Sequence, residues 1–257
     1  MIDSHAHLTD RAYSDYNAVI KRALGVGVKK IITVGYDEQS SLNGAKIAQE
    51  NDSVFFTVGI HPSECERVDN SAIEQLLPLF SQDKCLAVGE IGLDYHYEKD
   101  KTLQKELFKS QLELAVRLNL PVVIHSREAT KDMLEILTEY HGGLKKGFLM
   151  HCYSESAESA KEYLKLGAYF AFGGVITFKN AKKDEIIKSI PLNRVLCETD
   201  CPYMTPVPYR GQVNEPMRVV EVYKKMAEIY GVEISDLVKT VADNTARFFN
   251  DSRLGER

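Results

Sequence analysis

Met1-Ile2-Asp3-Ser4-His5-Ala6-His7 opens the chain as a short apolar run that ends in His-x-His. Residues two apart on a strand project from the same face, so His5 and His7 can aim two imidazoles at one point. Such a pair can seat a divalent cation, although neighbouring histidines are also common surface decoration. What stands at the ends of the other apolar runs decides between these. Runs of strand length recur at 1–7, 30–35, 54–60, 85–91, 121–125, 147–151, 168–172 and 195–199. Most are β-branched or aromatic and lack polar alternation, as strands buried on both faces do.

Between them lie stretches of helical spacing at 16–24, 38–50, 73–80, 102–118, 131–140, 156–166 and 184–190, with two more at 215–230 and 235–249. Strand and helix alternate about eight times, and parallel strands require such crossovers. The 257 residues match a (β/α)8 TIM barrel in size. A doubly wound open sheet is the alternative. The expectation is one TIM-barrel domain spanning 1–257, with one or two extra C-terminal helices. No Pro/Gly/Ser-rich linker, low-complexity tract or repeat interrupts it.

Composition removes several classes. Thirty-two basic and 37 acidic side chains leave a net charge of −5, so no global basic field draws nucleic acid. That excludes a nonspecific DNA coat protein but not an enzyme gripping a few nucleotides. The five cysteines (Cys65, Cys85, Cys152, Cys197, Cys201) are odd in number and lack CxxC spacing, which speaks against a disulfide framework or zinc knuckle. No signal-type segment precedes the first run, and none is long enough to span a bilayer. The expectation is a soluble cytoplasmic protein without membrane association, and nothing calls for an obligate protein partner.

The other ligand-type residues share the position of the His-x-His pair. Glu90 ends the fourth run, His125 the fifth and His151 the sixth, while Asp200 follows the eighth. In a barrel these ends converge on one face. Four imidazoles and two carboxylates exceed the needs of one tetrahedral ion and suit two ions sharing a carboxylate. Glu90 is the expected bridge, and Asp200 the expected ligand that also accepts a proton from water. Taken singly, each has an ordinary reading: a hydrogen-bonded histidine, an exposed glutamate, a helix N-cap. Together they would be buried charges without partners unless a cation were present.

Asp3-Ser4-His5-Ala6-His7, Gly59-Ile60-His61-Pro62, Gly89-Glu90-Ile91-Gly92-Leu93-Asp94-Tyr95, His125-Ser126-Arg127, His151-Cys152-Tyr153 and Glu198-Thr199-Asp200 succeed one another along nearly the whole chain. This succession resembles the TatD-type metal-dependent deoxyribonucleases. Pro208-Tyr209-Arg210-Gly211 with Asn214-Glu215-Pro216, and Asn244-Thr245-Ala246-Arg247-Phe248-Phe249, resemble the loop and terminal helix of that family. The resemblance implies an amidohydrolase-like barrel and hydrolysis of phosphodiester bonds in single-stranded DNA from the 3′ end. It implies two divalent ions (Mg, Mn, Zn, Ni or Co), one held by His5, His7, Glu90 and Asp200, the other by Glu90, His125 and His151. His61 and Arg127 resemble phosphate contacts, and Arg210 resembles a residue steadying substrate or loop. Salt bridges to Glu128, Glu198 or Glu215 are the alternative for the two arginines. One departure is the stretch Arg210-Gly211-Gln212-Val213-Asn214, where the family often has a basic residue between the Gly and the Asn.

Two smaller features stay open. Asp94-Tyr95-His96-Tyr97 reads as a packed loop or a base-stacking surface, and Lys179, Lys182 and Lys183 as a solvated face or phosphate contacts. The alternative activity is amidohydrolase-type cleavage of a small cyclic amide, lactone or other ester. Many such enzymes bridge their metals with a carboxylated lysine, and here Glu90 holds that place. A non-catalytic binding barrel would have no use for the full ligand set.

Overall fold

Eight parallel strands pair in chain order: β1 (Ile2–Ala6), β2 (Lys30–Val34), β3 (Val54–Val58), β4 (Cys85–Asp94), β5 (Val122–Arg127), β6 (Phe148–Met150), β7 (Tyr169–Phe172) and β8 (Val195–Cys197). The computed structural model describes residues 1–68 and 70–255; the expected span 1–257 therefore includes residues 69, 256 and 257, which lie outside the described residues. Among the described residues, seven α-helices cross between successive strands: α1 (Tyr16–Gly25), α2 (Glu38–Glu50), α3 (Asn70–Leu76), α4 (Lys101–Leu118), α5 (Thr130–Tyr140), α6 (Ala157–Lys165) and α7 (Asp184–Lys188). After β8 come α8 (Val219–Tyr230) and α9 (Ile234–Phe249). α8 completes the eighth unit, so α9 is the extra helix.

The first and last strands meet, which rules out the open sheet. Ser4 Oγ donates to the Cys197 carbonyl at 3.0 Å, His7 N to the Cys201 carbonyl at 2.8 Å, and Asp200 N to the His5 carbonyl at 2.9 Å. The barrel is nearly closed.

Local chemistry sets the helix ends. Asp37 and Ser40 form a capping box on α2, with Asp37 Oδ1 accepting from Ser40 N at 2.7 Å. Asp15, Asp100 and Ser156 cap α1, α4 and α6. α4 stops at Asn119, whose φ of 53° is left-handed, just before Pro121. Two expected helices change shape at prolines. Pro78 falls in a 3₁₀ stretch, Leu77–Ser81, that ends α3, and Pro216 opens a 3₁₀ turn that delays α8 to Val219.

The core has two parts. Strand residues facing outward pack under the helices. Inside the barrel, each strand gives at least one apolar residue to a second cluster: Ile2, Ile32, Phe55, Ala87, Val123, Leu149, Ala171 and Leu196. Phe248 and Phe249 of α9 join this inner cluster and close the amino end of the barrel. Each buried Ile, Leu, Val or Phe among these contributes roughly 1.5–3 kcal/mol.

Candidate metal centre

Two strands leave their regular course at the site. Along β4, Val88, Ile91 and Leu93 all belong to the outer core, yet Val88 and Ile91 are three residues apart. A regular strand would send them to opposite faces. The pairing register with β5 shifts between these two residues, and this bulge releases Glu90 to the barrel interior. Gly92 permits it, because a Cβ there would lie 1.9 Å from the His125 carbonyl oxygen. β1 shifts register between Asp3 and Ala6, at the His-x-His pair.

This corrects two expected positions. Glu90 lies within β4, which runs on to Asp94, and His125 lies within β5, which runs on to Arg127. His151 directly follows β6. Asp200 stands three residues past β8 at φ 51°, a left-handed conformation that aspartate tolerates better than most residues.

The structure brings all six side chains together. His5 Nε2 and His7 Nε2 are 3.3 Å apart. Both face Glu90 Oε2 (3.5 and 3.8 Å) and Asp200 Oδ1 (3.8 and 3.4 Å). The other oxygen of Glu90, Oε1, lies 2.9 Å from His125 Nδ1 and 2.8 Å from His151 Nε2. Glu90 thus stands between two groups of donors, one oxygen turned to each, and is 4% exposed.

The donor set fits cations. His7 Nδ1 is 3.3 Å from the Val34 carbonyl, which can only accept, so this nitrogen carries the proton and Nε2 presents a lone pair. That lone pair meets another imidazole nitrogen and two carboxylate oxygens. His5 Nδ1 and Glu198 Oε2 are buried without a hydrogen-bond partner. Acceptors turned on acceptors in a buried site require a cation or extra protons. Without a metal, protons do the work. Burial opposes charge on His151, but Glu90 and Glu198 outweigh it and raise its pKa well above the usual value. His7 and His125 are raised in the same way, against burial, by Asp200 with Glu90 and by Asp94 with Glu90. Burial and the neighbouring His151 lower His5. Glu90 is held well below the carboxylate range despite burial, chiefly by His151, His125 and His5. Among the described residues, His5-His7-Asp200 and Glu90-His125-His151 are each close enough to hold one ion.

Sequence reasoning assigned no role to three supporting acids. Asp94 Oδ2 lies 3.1 Å from His125 Nε2. Glu198, fully buried, lies 3.4 Å from His151 Nδ1 and accepts from Cys152 N at 2.6 Å. Asp3 accepts from Thr199 Oγ1 at 2.6 Å and Thr199 N at 2.9 Å, fixing the turn that carries Asp200. Their sequence signal was their place, near the ligands, in the stretches that resemble the family.

The centre floors a cleft of about 610 Å³ lined by Tyr36, His61, Tyr97, Arg127, Tyr203 and Met204 among others. His61 Nδ1 accepts from Ser63 N at 3.1 Å, and burial drives its pKa to about 3, so it stays neutral. Its Nε2, 3.9 Å from Glu90 Oε1, then carries a proton it can donate. Arg127 sits 5.6 Å from the Tyr97 ring centre. Arg210 is not in this cleft: it lies over Phe178 at 4.0 Å and donates to the Thr205 carbonyl at 3.1 Å. The salt bridges considered for the arginines do not form, since Glu128 binds His96, Glu215 binds Arg22, and Glu198 serves His151 and Cys152. The aromatic loop divides: Tyr95 is packed with its hydroxyl on Asp132 at 2.7 Å, whereas Tyr97 is 59% exposed at the cleft.

Residues 2–250 match the family described as TatD related DNase. The chain belongs to that family. It is 40% identical to the uncharacterized metal-dependent hydrolase YabD of Bacillus subtilis, over 97% of this chain and 98% of that protein. Identity to the uncharacterized metal-dependent hydrolase YcfH of Escherichia coli K12 is 36%, over 97% and 96% of the two chains. The crystal structure of YJJV, a TatD homologue from Escherichia coli K12, superposes with a TM-score of 0.92 at 30% identity, covering 97% of this chain and 98% of that one. The protein is a TatD-family metal-dependent hydrolase. Among its described residues, no helix is long and apolar enough to cross a membrane.

Proposed function

We infer that the protein is a deoxyribonuclease that hydrolyses phosphodiester bonds of single-stranded DNA from the 3′ end, using water activated by two divalent ions. The observation that carries this reading is Glu90, with Oε2 facing His5 and His7 and Oε1 facing His125 and His151. His5, His7, Glu90 and Asp200 would hold one ion, and Glu90, His125 and His151 the other. When bound, the pair supplies a strong nucleophile at neutral pH and offsets charge on a phosphoryl oxygen. Imidazole donors suit Zn, Ni, Co or Mn better than Mg.

The chain's own groups do the rest. Burial would raise Asp200, but the neighbouring imidazoles of His7, His151 and His5 keep it below the usual carboxylate range. It is therefore ionised at neutral pH and can take a proton from the attacking water. Neutral His61 can donate Nε2–H to a phosphate oxygen, and Arg127 offers its fork to the same group. Glu198 and Asp94 hold His151 and His125 in the orientation a ligand needs. The reading takes 1–257 as one catalytic domain. The described cysteines are all free, which suits the reducing cytoplasm.

Product analysis on a labelled single strand, with Mg²⁺, Mn²⁺, Co²⁺ or Zn²⁺, tests the reading. Stepwise loss of mononucleotides is expected, abolished by chelation. No release with any of the four, or faster turnover of lactones and cyclic amides than of DNA, would replace it.

A further inference from the structure

A second groove adjoins the cleft. It is formed by the segment after β7 and the start of α7, encloses about 420 Å³, and has Phe178, Lys179, Lys182 and Lys225 in its walls. Ile176 lines both cavities, so they meet at one side chain. Lys183, next in sequence to Lys182, is already in the cleft, with Nζ donating to the Ser154 carbonyl.

The charges in this groove are unequal. Its acids are answered: Asp184 faces Lys225 at 3.6 Å and Glu185 faces Lys188 at 3.5 Å. Among the described residues, Lys179 and Lys182 have no acidic partner within 4.0 Å, and neither has Arg210, which is not in the groove's lining but lies over Phe178 in its wall. Arg210 lies over Phe178, with Nη1 donating to the Thr205 carbonyl. Most of its N–H fork is uncommitted. By contrast, Arg67 and Lys99 are each held by a glutamate, at 3.3 and 2.7 Å. On a chain of net charge −5, two lysines and an arginine without acidic partners thus lie together beside the cleft.

We propose that this groove is a phosphate-binding subsite for the unreacted part of a DNA strand whose terminal bond lies in the cleft, with Lys179, Lys182 and Arg210 as its contacts. The proposal rests on the nuclease reading and adds a path for the strand. It also accounts for Arg210, which lies outside the cleft yet needs no protein anion. Each contact releases counterions, so affinity rises with strand length and falls with salt.

The test is binding to the manganese-loaded full chain, followed by fluorescence anisotropy between about 50 and 200 mM salt. The probes are a twelve-residue thymidine strand and a thymidine dinucleotide, both phosphorothioate-linked to resist cleavage. The parent should bind the longer strand about tenfold tighter. Lys179→Gln with Lys182→Gln should erase most of that advantage and flatten the log–log salt slope by about 1.4, for two lost phosphate contacts. Both side chains are exposed, and an unchanged melting temperature shows the fold intact. Equal affinity of the parent for both probes, or an unaltered slope in the double variant, overturns the proposal. The nuclease reading fails on a separate result: a chain that binds the strand this way but releases no nucleotide from an ordinary one with any of the four cations.

Discussion

At the amino end of the barrel, Ile2, Phe55, Val123 and Leu149 pack against Phe248 and Phe249 of α9. At the carboxyl end, β1, β4 and β5, with the turns after β6 and β8, present His5, His7, Glu90, His125, His151 and Asp200 to one another. Both ends are buried, but burial acts with opposite sign. Apolar side chains gain free energy when removed from water. Imidazoles and carboxylates lose it unless protons or cations compensate. One end therefore stabilises the molecule, and the other imposes a cost on it for the sake of a site.

Exchanging the charge at the carboxyl end is expected to have the largest effect. Glu90→Gln should lower kcat by on the order of 10³, about 4 kcal/mol, while the metal-free chain still folds, with a lower melting temperature because the depressed Glu90 pKa marks a charge that stabilises it. A folded variant with near-parental turnover would remove Glu90 from the centre. Damage at the amino end should do the reverse. Phe248→Ala should cost roughly 3–4 kcal/mol of stability, lowering the melting temperature by roughly 10 °C, with kcat of the folded fraction within about twofold of the parent. Lost turnover in a variant still fully folded would mean that the ends are not independent.

Smaller changes sharpen the contrast. Glu198→Gln keeps size and should weaken cation binding by about 10–100-fold in direct titration, independent of any substrate. Unchanged affinity would reduce Glu198 to a partner of Cys152 N alone. Proton competition should be milder still. His7, His125 and His151 have raised pKa values in the metal-free chain, so their protonated forms are favoured there and must lose protons to bind an ion. Affinity should therefore fall as pH drops through those raised values, by about tenfold per pH unit for each proton displaced. A pH-independent affinity would show that these rings are not the ligands.

The barrel was legible because runs such as 54–60 and 121–125 are apolar on both faces, and only strands covered on both sides look so. The centre was legible because histidines and acids closed those runs. What escaped was tertiary. The bulge at Glu90 depends on Gly92 passing the His125 carbonyl, a contact between strands that no local pattern announces. Asp94 acts on His125 and Glu198 on His151 and Cys152, residues of other units of the barrel, so spacing could not assign them. Arg210 sits beside a second groove because of the path taken by the loop after β8. Phe248 and Phe249 read as part of a helix face, with no hint that they stopper the barrel.

The latch between Asp3 and Thr199 joins residues 196 apart in the chain. A ribosome must therefore deliver most of the polypeptide before the last carboxylate can join the first two histidines. Until then the nascent chain holds scattered donors and no finished blade. The order in which its pieces emerge thus leaves this hydrolase without a complete centre until its synthesis is nearly done.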